Sequence, residues 1–139
     1  MRLLKLLLLS ALVGLSACSQ IPTGSFEAPD SIGTGAVSRW TSADMADLDQ
    51  GSFHPAVKAL LQNAQQSRQQ ENWQRTMTWL DQARQITPRS APLFLRQAWV
   101  ALQMGDKALT RQLAQRGLVF SDTETISLQL QQLVRESGR

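Results

Sequence analysis

Cys18 is the single cysteine of this chain and His54 its single histidine. A thiol or an imidazole becomes catalytic only beside a base, an acid or a group that orients it. His54 stands before Pro55 and reads as a helix cap or a surface residue rather than a base. Asp44, Asp47 and Asp49 lie close together, but their segment lacks the central glycine and terminal glutamate of a calcium loop. No nucleophile elbow, no phosphate-cradling glycine loop and no His/Cys/Asp/Glu set with metal-ligand spacing occurs. The expectation is a binding protein: no catalytic residue, no metal, no cofactor and no small-molecule substrate.

Charge narrows the partner. Lys and Arg number 14 against 11 Asp and Glu, but two of the cations, Arg2 and Lys5, sit at the extreme N-terminus. Residues 19–53 hold five carboxylates against Arg39 alone, and residues 54–139 hold eleven cations against six carboxylates, so an acidic stretch leads into a basic one. Arg75, Arg84, Arg89, Arg111 and Arg116 are dispersed among glutamines, which describes solvated helix faces rather than a nucleic-acid interface. A protein is the expected partner, not a nucleic acid.

Residues 1–17 have the layout of a secretory signal: Arg2 and Lys5, then apolar residues 6–15, then small residues. The apolar run is too short to cross a bilayer, which takes about 20 apolar residues as a helix. Leu15-Ser16-Ala17-Cys18 resembles the lipobox of bacterial lipoproteins. The resemblance implies that Cys18 takes a diacylglycerol and becomes the first mature residue, so a covalent lipid is the one non-protein group expected. Ser19 rather than Asp follows, which by the same resemblance implies the periplasmic face of the outer membrane. More than one acyl chain gives stable anchoring, so no amphipathic helix is needed for attachment. With Cys18 acylated, no thiol is left for a disulfide, and the fold must stand on packing alone.

Residues 18–53 are expected to be a flexible tether. Gly, Pro, Ser and Thr dominate as far as Trp40, and no helical or alternating period survives. Such a chain cannot bury enough apolar area to offset its ordering entropy. Within it, residues 41–50 have the makings of one or two helical turns, with Ser42 as cap. Trp40, Met45, Leu48 and Phe53 are large apolar residues that either dock on the following domain or form a short motif for a partner.

Residues 54–139 carry helical spacing throughout. Val57, Leu60, Leu61 and Ala64 mark a first helix; Trp73, Met77, Leu80, Ala83 and Ile86 mark a second, closed by Thr87-Pro88. Leu93, Phe94, Leu95, Ala98 and Ala101 form a third, ended by Gly105, and Leu109, Leu113, Ala114 and Leu118 a fourth. After the capping sequence 121–124 comes a fifth, with Ile126, Leu130, Leu133 and Val134. Trp73, Trp79, Phe94 and Phe120 are expected to supply most of the core volume.

The helices pair, and the pairs repeat. Glu71-Asn72-Trp73 precedes Gly105-Asp106-Lys107 by 34 residues, and Ala83 precedes Gly117 by the same interval. This spacing resembles the tetratricopeptide repeat, a helix-turn-helix unit. Ala64, Trp73, Leu80, Ala83 and Pro88 match the family's positions in one unit; Phe94, Ala98, Gly105-Asp106 and Gly117 match in the next. Asp122 stands where proline is usual, Lys107 where an aromatic is usual, and Thr76 and Thr110 where alanine is usual. The resemblance implies an all-α fold: a short tetratricopeptide-like solenoid of two helix pairs plus a capping helix, following a disordered tether. It also implies a concave partner-binding face on the first helix of each pair. Carried over position by position, that face holds Lys58, Leu61, Gln65, Arg68 and Gln69, then Leu95, Arg96, Trp99, Leu102 and Gln103. Trp99 lies just outside the stripe of Phe94, Ala98 and Ala101, so it is either part of an open face beside Arg96 or covered by the tether or fifth helix.

The order of parts is similar to the outer-membrane lipoproteins that activate class A penicillin-binding proteins, in their short repeat-bearing (LpoP-type) version. That resemblance implies a non-enzymatic role in peptidoglycan biosynthesis, with the domain docking on a synthase in the periplasm and shifting it toward its active state. The alternative is a pilotin or assembly factor for an outer-membrane secretin or pilus complex.

Overall fold

The computed structural model describes residues 39–139. The leader, Cys18 and the tether up to residue 38 lie outside the described residues. Five α-helices follow a 3-10 turn at Ser42–Asp44: α1 Pro55–Gln69, α2 Trp73–Ile86, α3 Ala91–Gln103, α4 Lys107–Val119 and α5 Glu124–Ser137. No strand occurs among the described residues. None of their helices is long and apolar enough to cross a membrane.

Local chemistry sets the boundaries. His54 caps α1, its Nδ1 accepting from the Ala56 amide at 3.2 Å, with Pro55 at the first helical position. Asn72 caps α2 through Oδ1, which accepts from the Arg75 amide at 3.1 Å; Asp106 caps α4 in the same way, accepting from Leu109 at 2.9 Å. The 34-residue offset of the sequence is repeated bond for bond in the two turns. The Asn72 amide donates to the Ser67 carbonyl at 3.0 Å, and the Asp106 amide to Ala101 at 3.0 Å. The Thr76 and Thr110 hydroxyls donate to the Asn72 and Asp106 carbonyls, each at 2.8 Å. The residue before each cap is left-handed: Gly105 at φ +76° and, without glycine's freedom, Glu71 at φ +54°.

Each helix packs on its neighbour in sequence, and α3 also meets α5. The middle helix therefore has little face left for water, and its buried residues run without a break from Leu93 to Ala101. Gly117 of α4 makes this close approach possible. A Cβ there would stand 2.9 Å from both the Phe94 Cβ and a Leu130 methyl. Leu130 and Leu133 of α5 close the open side of the α3/α4 pair, and both are buried.

Two expectations need correction. Aromatic volume is distributed differently: Phe94 and Trp99 are buried, whereas Trp73, Trp79 and Phe120 are half-buried against the core. Trp99 takes its place by an edge-on contact with Trp73, ring centroids 5.6 Å apart. The packed unit also begins well before the boundary drawn at His54. Leu48 is 0 % exposed, and Trp40, Met45 and Phe53 pack against the same core. Of the helical turns expected over 41–50, only the 3-10 turn forms, and Thr41 rather than Ser42 caps it. Both the amide and the hydroxyl of Thr41 donate to Asp44 Oδ2, at 2.7 and 2.8 Å. These bonds, the hydroxyl's first, hold the Asp44 carboxyl below the usual range.

Candidate peptide-binding face on the first and third helices

Side chains at turn-spaced positions of one helix face share a direction. Lys58, Leu61, Gln65 and Arg68 of α1 do so, as do Leu95, Arg96, Trp99 and Leu102 of α3. The structure brings five of them together over one feature, the segment 42–50 of the same chain. Gln65 grips it twice: Oε1 accepts from the Leu48 amide at 2.9 Å, and Nε2 donates to Asp47 Oδ1 at 2.8 Å. Arg68 donates to the Ala46 carbonyl at 2.8 Å and to the Met45 carbonyl at 3.2 Å. Lys58 Nζ donates to the Asp49 carbonyl. Across the cleft, Arg96 donates through Nε to the Leu48 carbonyl at 2.6 Å and through Nη2 to Gln50 at 2.5 Å. The Trp99 indole donates to the Ser42 carbonyl at 2.7 Å.

The remaining residues of the expected face divide. Leu61 and Leu95 are core residues, Leu102 is half-buried against the core, and Gln69 and Gln103 are exposed at the helix ends. Trp99 is 5 % exposed, so the open-face reading gives way to the covered one, and what covers it is the segment assigned to the tether. Arg68 lies over the Trp99 ring, 4.4 Å from its centroid, and Arg96 over Phe53 at 4.9 Å.

The electrostatics follow from burial. Arg96 is 8 % exposed, and burial pulls its pKa down to about 10, with the charge of Asp49 working the other way. Burial lowers Arg68 too, again against a nearby carboxylate, Asp47. Neither guanidinium forms an ion pair; the one ion pair among the described residues joins Arg84 to Asp81 at 3.8 Å. The two cations are held mainly by main-chain carbonyls, which supply charge-assisted hydrogen bonds without a partner carboxylate. Further out, the Ser42 amide donates to Glu136 Oε1 of α5 at 3.1 Å.

Sequence reasoning named these side chains as a partner-binding face and left open whether residues 40–53 dock on the domain; the structure has five of them grip that segment. Apart from the Asp47 carboxylate, the acceptors on residues 42–50 are backbone carbonyls, for which no side-chain motif exists. The available signal was Trp40, Met45, Leu48 and Phe53, whose apolar mass a polar tether does not need.

Elsewhere chemistry is sparse. A depression of about 140 Å³ between α1 and α2 is lined by Asn63, Gln66, Ser67, Gln70, Arg75 and Trp79. Among the described residues no three His, Cys, Asp or Glu side chains come together as a metal ion would require. The structure defines an all-helical domain that holds a peptide segment by its main chain. No protein-family model matches the chain, nor does a curated protein or a solved structure match it significantly.

Proposed function

We propose that this chain is a lipid-anchored periplasmic adaptor whose tetratricopeptide-like domain binds, and activates, a peptidoglycan synthase of the class A penicillin-binding type. The observation that carries the binding role is the α1/α3 face, where Lys58, Gln65, Arg68, Arg96 and Trp99 hold an irregular peptide by its backbone. The duplicated turns at Glu71-Asn72 and Gly105-Asp106 support the repeat reading, with α5 as the terminal cap. Cys18, within its lipobox-like sequence, would fix the protein at the outer membrane, and the residues after it would give reach.

Activation in this reading is allosteric. Docking favours the synthase conformation that binds the domain better, and the chain does no chemistry itself. The test is glycan-strand polymerisation by a purified class A synthase, reconstituted with and without the full chain. A saturable rise in rate, reduced by Arg68→Glu, is expected. An unchanged rate across a range of synthases removes the activator reading, and specific capture of a secretin subunit would replace it with the assembly-factor role.

A further inference from the structure

Eight hydrogen bonds join the α1/α3 face to residues 42–50, and seven of them end on main-chain atoms of that segment. Such bonds do not depend on the segment's own sequence. Another peptide following the same path would satisfy the same donors. Sequence enters through a few side chains: Leu48 fills an apolar recess, Met45 and Phe53 pack against the same core, and Asp47 accepts from Gln65, while Asp47 and Asp49 on either side of Leu48 set negative charge near Arg68 and Arg96. A turn closes this stretch, the Gln50 amide donating to the Asp47 carbonyl at 3.0 Å.

The face is also poorly suited to standing empty. Lys58, Arg68 and Trp99 find their hydrogen-bond acceptors on the segment, and Arg96 keeps only the Pro92 carbonyl of its own helix, at 2.9 Å. Removing the segment would turn these donors over to water and bare the recess that Leu48 fills, and the exposed apolar surface is costly unless something replaces it. The segment itself has little internal structure to hold it together once released. Apart from the short turns at 41–44 and 47–50, its order comes from the helices beneath it.

We propose that residues 41–53 are a built-in ligand of the α1/α3 face, and that a peptide turn with leucine between two carboxylates, presented by another protein, binds there by displacing them. The resident segment then works as an intramolecular competitor. Its tethering gives it an effective concentration on the order of millimolar, so a partner peptide of equal intrinsic affinity must reach that concentration to engage, and a tighter one proportionately less. This deepens the adaptor reading and rests on it for the existence of a partner. It adds the chemistry of the docking sequence and a threshold for binding.

The test needs only the full chain and a fluorescent peptide of residues 41–53. Leu48→Asp in the chain should release the segment. The peptide should then bind this variant at least about tenfold more tightly than wild type, by anisotropy, because the internal competitor is gone. A peptide carrying the same Leu48→Asp change should bind neither chain. Equal binding of the peptide to both chains, or equal binding of both peptides, overturns the proposal. Circular dichroism checks that the variant keeps its helices. Should it lose them, hydrogen exchange on the wild-type chain decides: the Leu48 amide should exchange at least about tenfold faster than the most protected α3 amides, through a local opening. Exchange of both at one common rate would make the segment part of the cooperative core and overturn the proposal. No synthase takes part in these measurements, so their failure leaves an adaptor docking through another face, while failure of the polymerisation assay leaves the displaceable segment.

Discussion

Replacing Leu48 with alanine tests whether a segment written like a tether is part of the fold. The side chain is 0 % exposed, while its amide and carbonyl are held by Gln65 and Arg96. Truncation removes three carbons, about 2.4 kcal/mol of transfer free energy at roughly 0.8 kcal/mol each. A rigid cavity raises such losses to about 2–5 kcal/mol, depending on how far the site collapses. Leu48 belongs to an irregular segment, which closes around a void more easily than packed helices do. The expected loss is therefore at the lower end, about 2–3 kcal/mol. For a folded unit of this size each kcal/mol lowers Tm by roughly 4–8 °C, so the midpoint should fall by about 8–24 °C. Urea titration measures the free energy and thermal unfolding the midpoint, each followed by tryptophan fluorescence and far-ultraviolet circular dichroism, with coincident curves as the check on two-state behaviour. Val119→Ala is the control: Val119 is 76 % exposed, and its loss should stay within about 0.5 kcal/mol. A Leu48→Ala chain as stable as that control would refute the packing argument and return residues 40–53 to the tether.

Other positions separate steric, capping and charge effects. Gly117→Ala should destabilise by about 1–2 kcal/mol although alanine is the better helix former, because its Cβ meets the Phe94 Cβ and a Leu130 methyl at 2.9 Å; a gain in Tm would mean that α5 moves away freely. Glu71→Gly should raise stability by up to about 1 kcal/mol, since Glu71 holds φ +54° in a turn whose equivalent between α3 and α4 places Gly105 there; differential scanning calorimetry reads the sign. Asn72→Ala removes the α2 cap and should cost about 0.5–2 kcal/mol in urea titration. At Glu136, burial works to raise the pKa, but the hydrogen bonds from Ser42 and Gln132 and the charge of Arg139 outweigh it, and the net shift is downward. Its contribution is therefore present above the ordinary carboxylate range and is lost as pH falls through the lowered folded value. The Trp99 indole proton, bonded to the Ser42 carbonyl, should shift on acidification to below the ordinary carboxylate range. That shift should vanish in Glu136→Gln.

Helix positions were legible because each rests on a local signal. Pro55, Asn72 and Asp106 mark starts, Thr87-Pro88 and Gly105 mark stops, and the apolar period between them leaves one reading. Pairing was legible through the 34-residue interval, which the two turns keep in their hydrogen bonds. Burial was less so. Periodicity places Trp99 beside the apolar stripe, but it cannot say that a segment some fifty residues earlier will lie across it. Nor does it say which aromatic wins the core, since Trp73, Trp79 and Trp99 all sit on plausible faces and only the packed helices choose among them.

The same physics explains why the gripping residues could be named while the docking of residues 42–50 stayed one of two readings. A donor such as Arg96 advertises itself: a long cation on the inner face of an apolar helix must find acceptors or stay out. Its acceptors here are the carbonyls of Leu48, Gln50 and Pro92, and every residue carries a carbonyl. Main-chain recognition thus leaves a trace in the receptor's sequence and almost none in the ligand's. What the ligand does reveal is its excess of apolar side chains: Leu48 in its recess and Phe53 beneath Arg96 are too large for a segment meant only to span distance. It follows that a partner sequence would be found less by overall similarity to residues 41–53 than by a leucine in a turn between carboxylates, flanked by large apolar residues as Met45 and Phe53 flank Leu48. Peptides that keep Met45, Asp47, Leu48, Asp49 and Phe53 and vary the other positions should therefore bind the released face within a factor of about ten of the natural segment, since the seven main-chain bonds survive such changes.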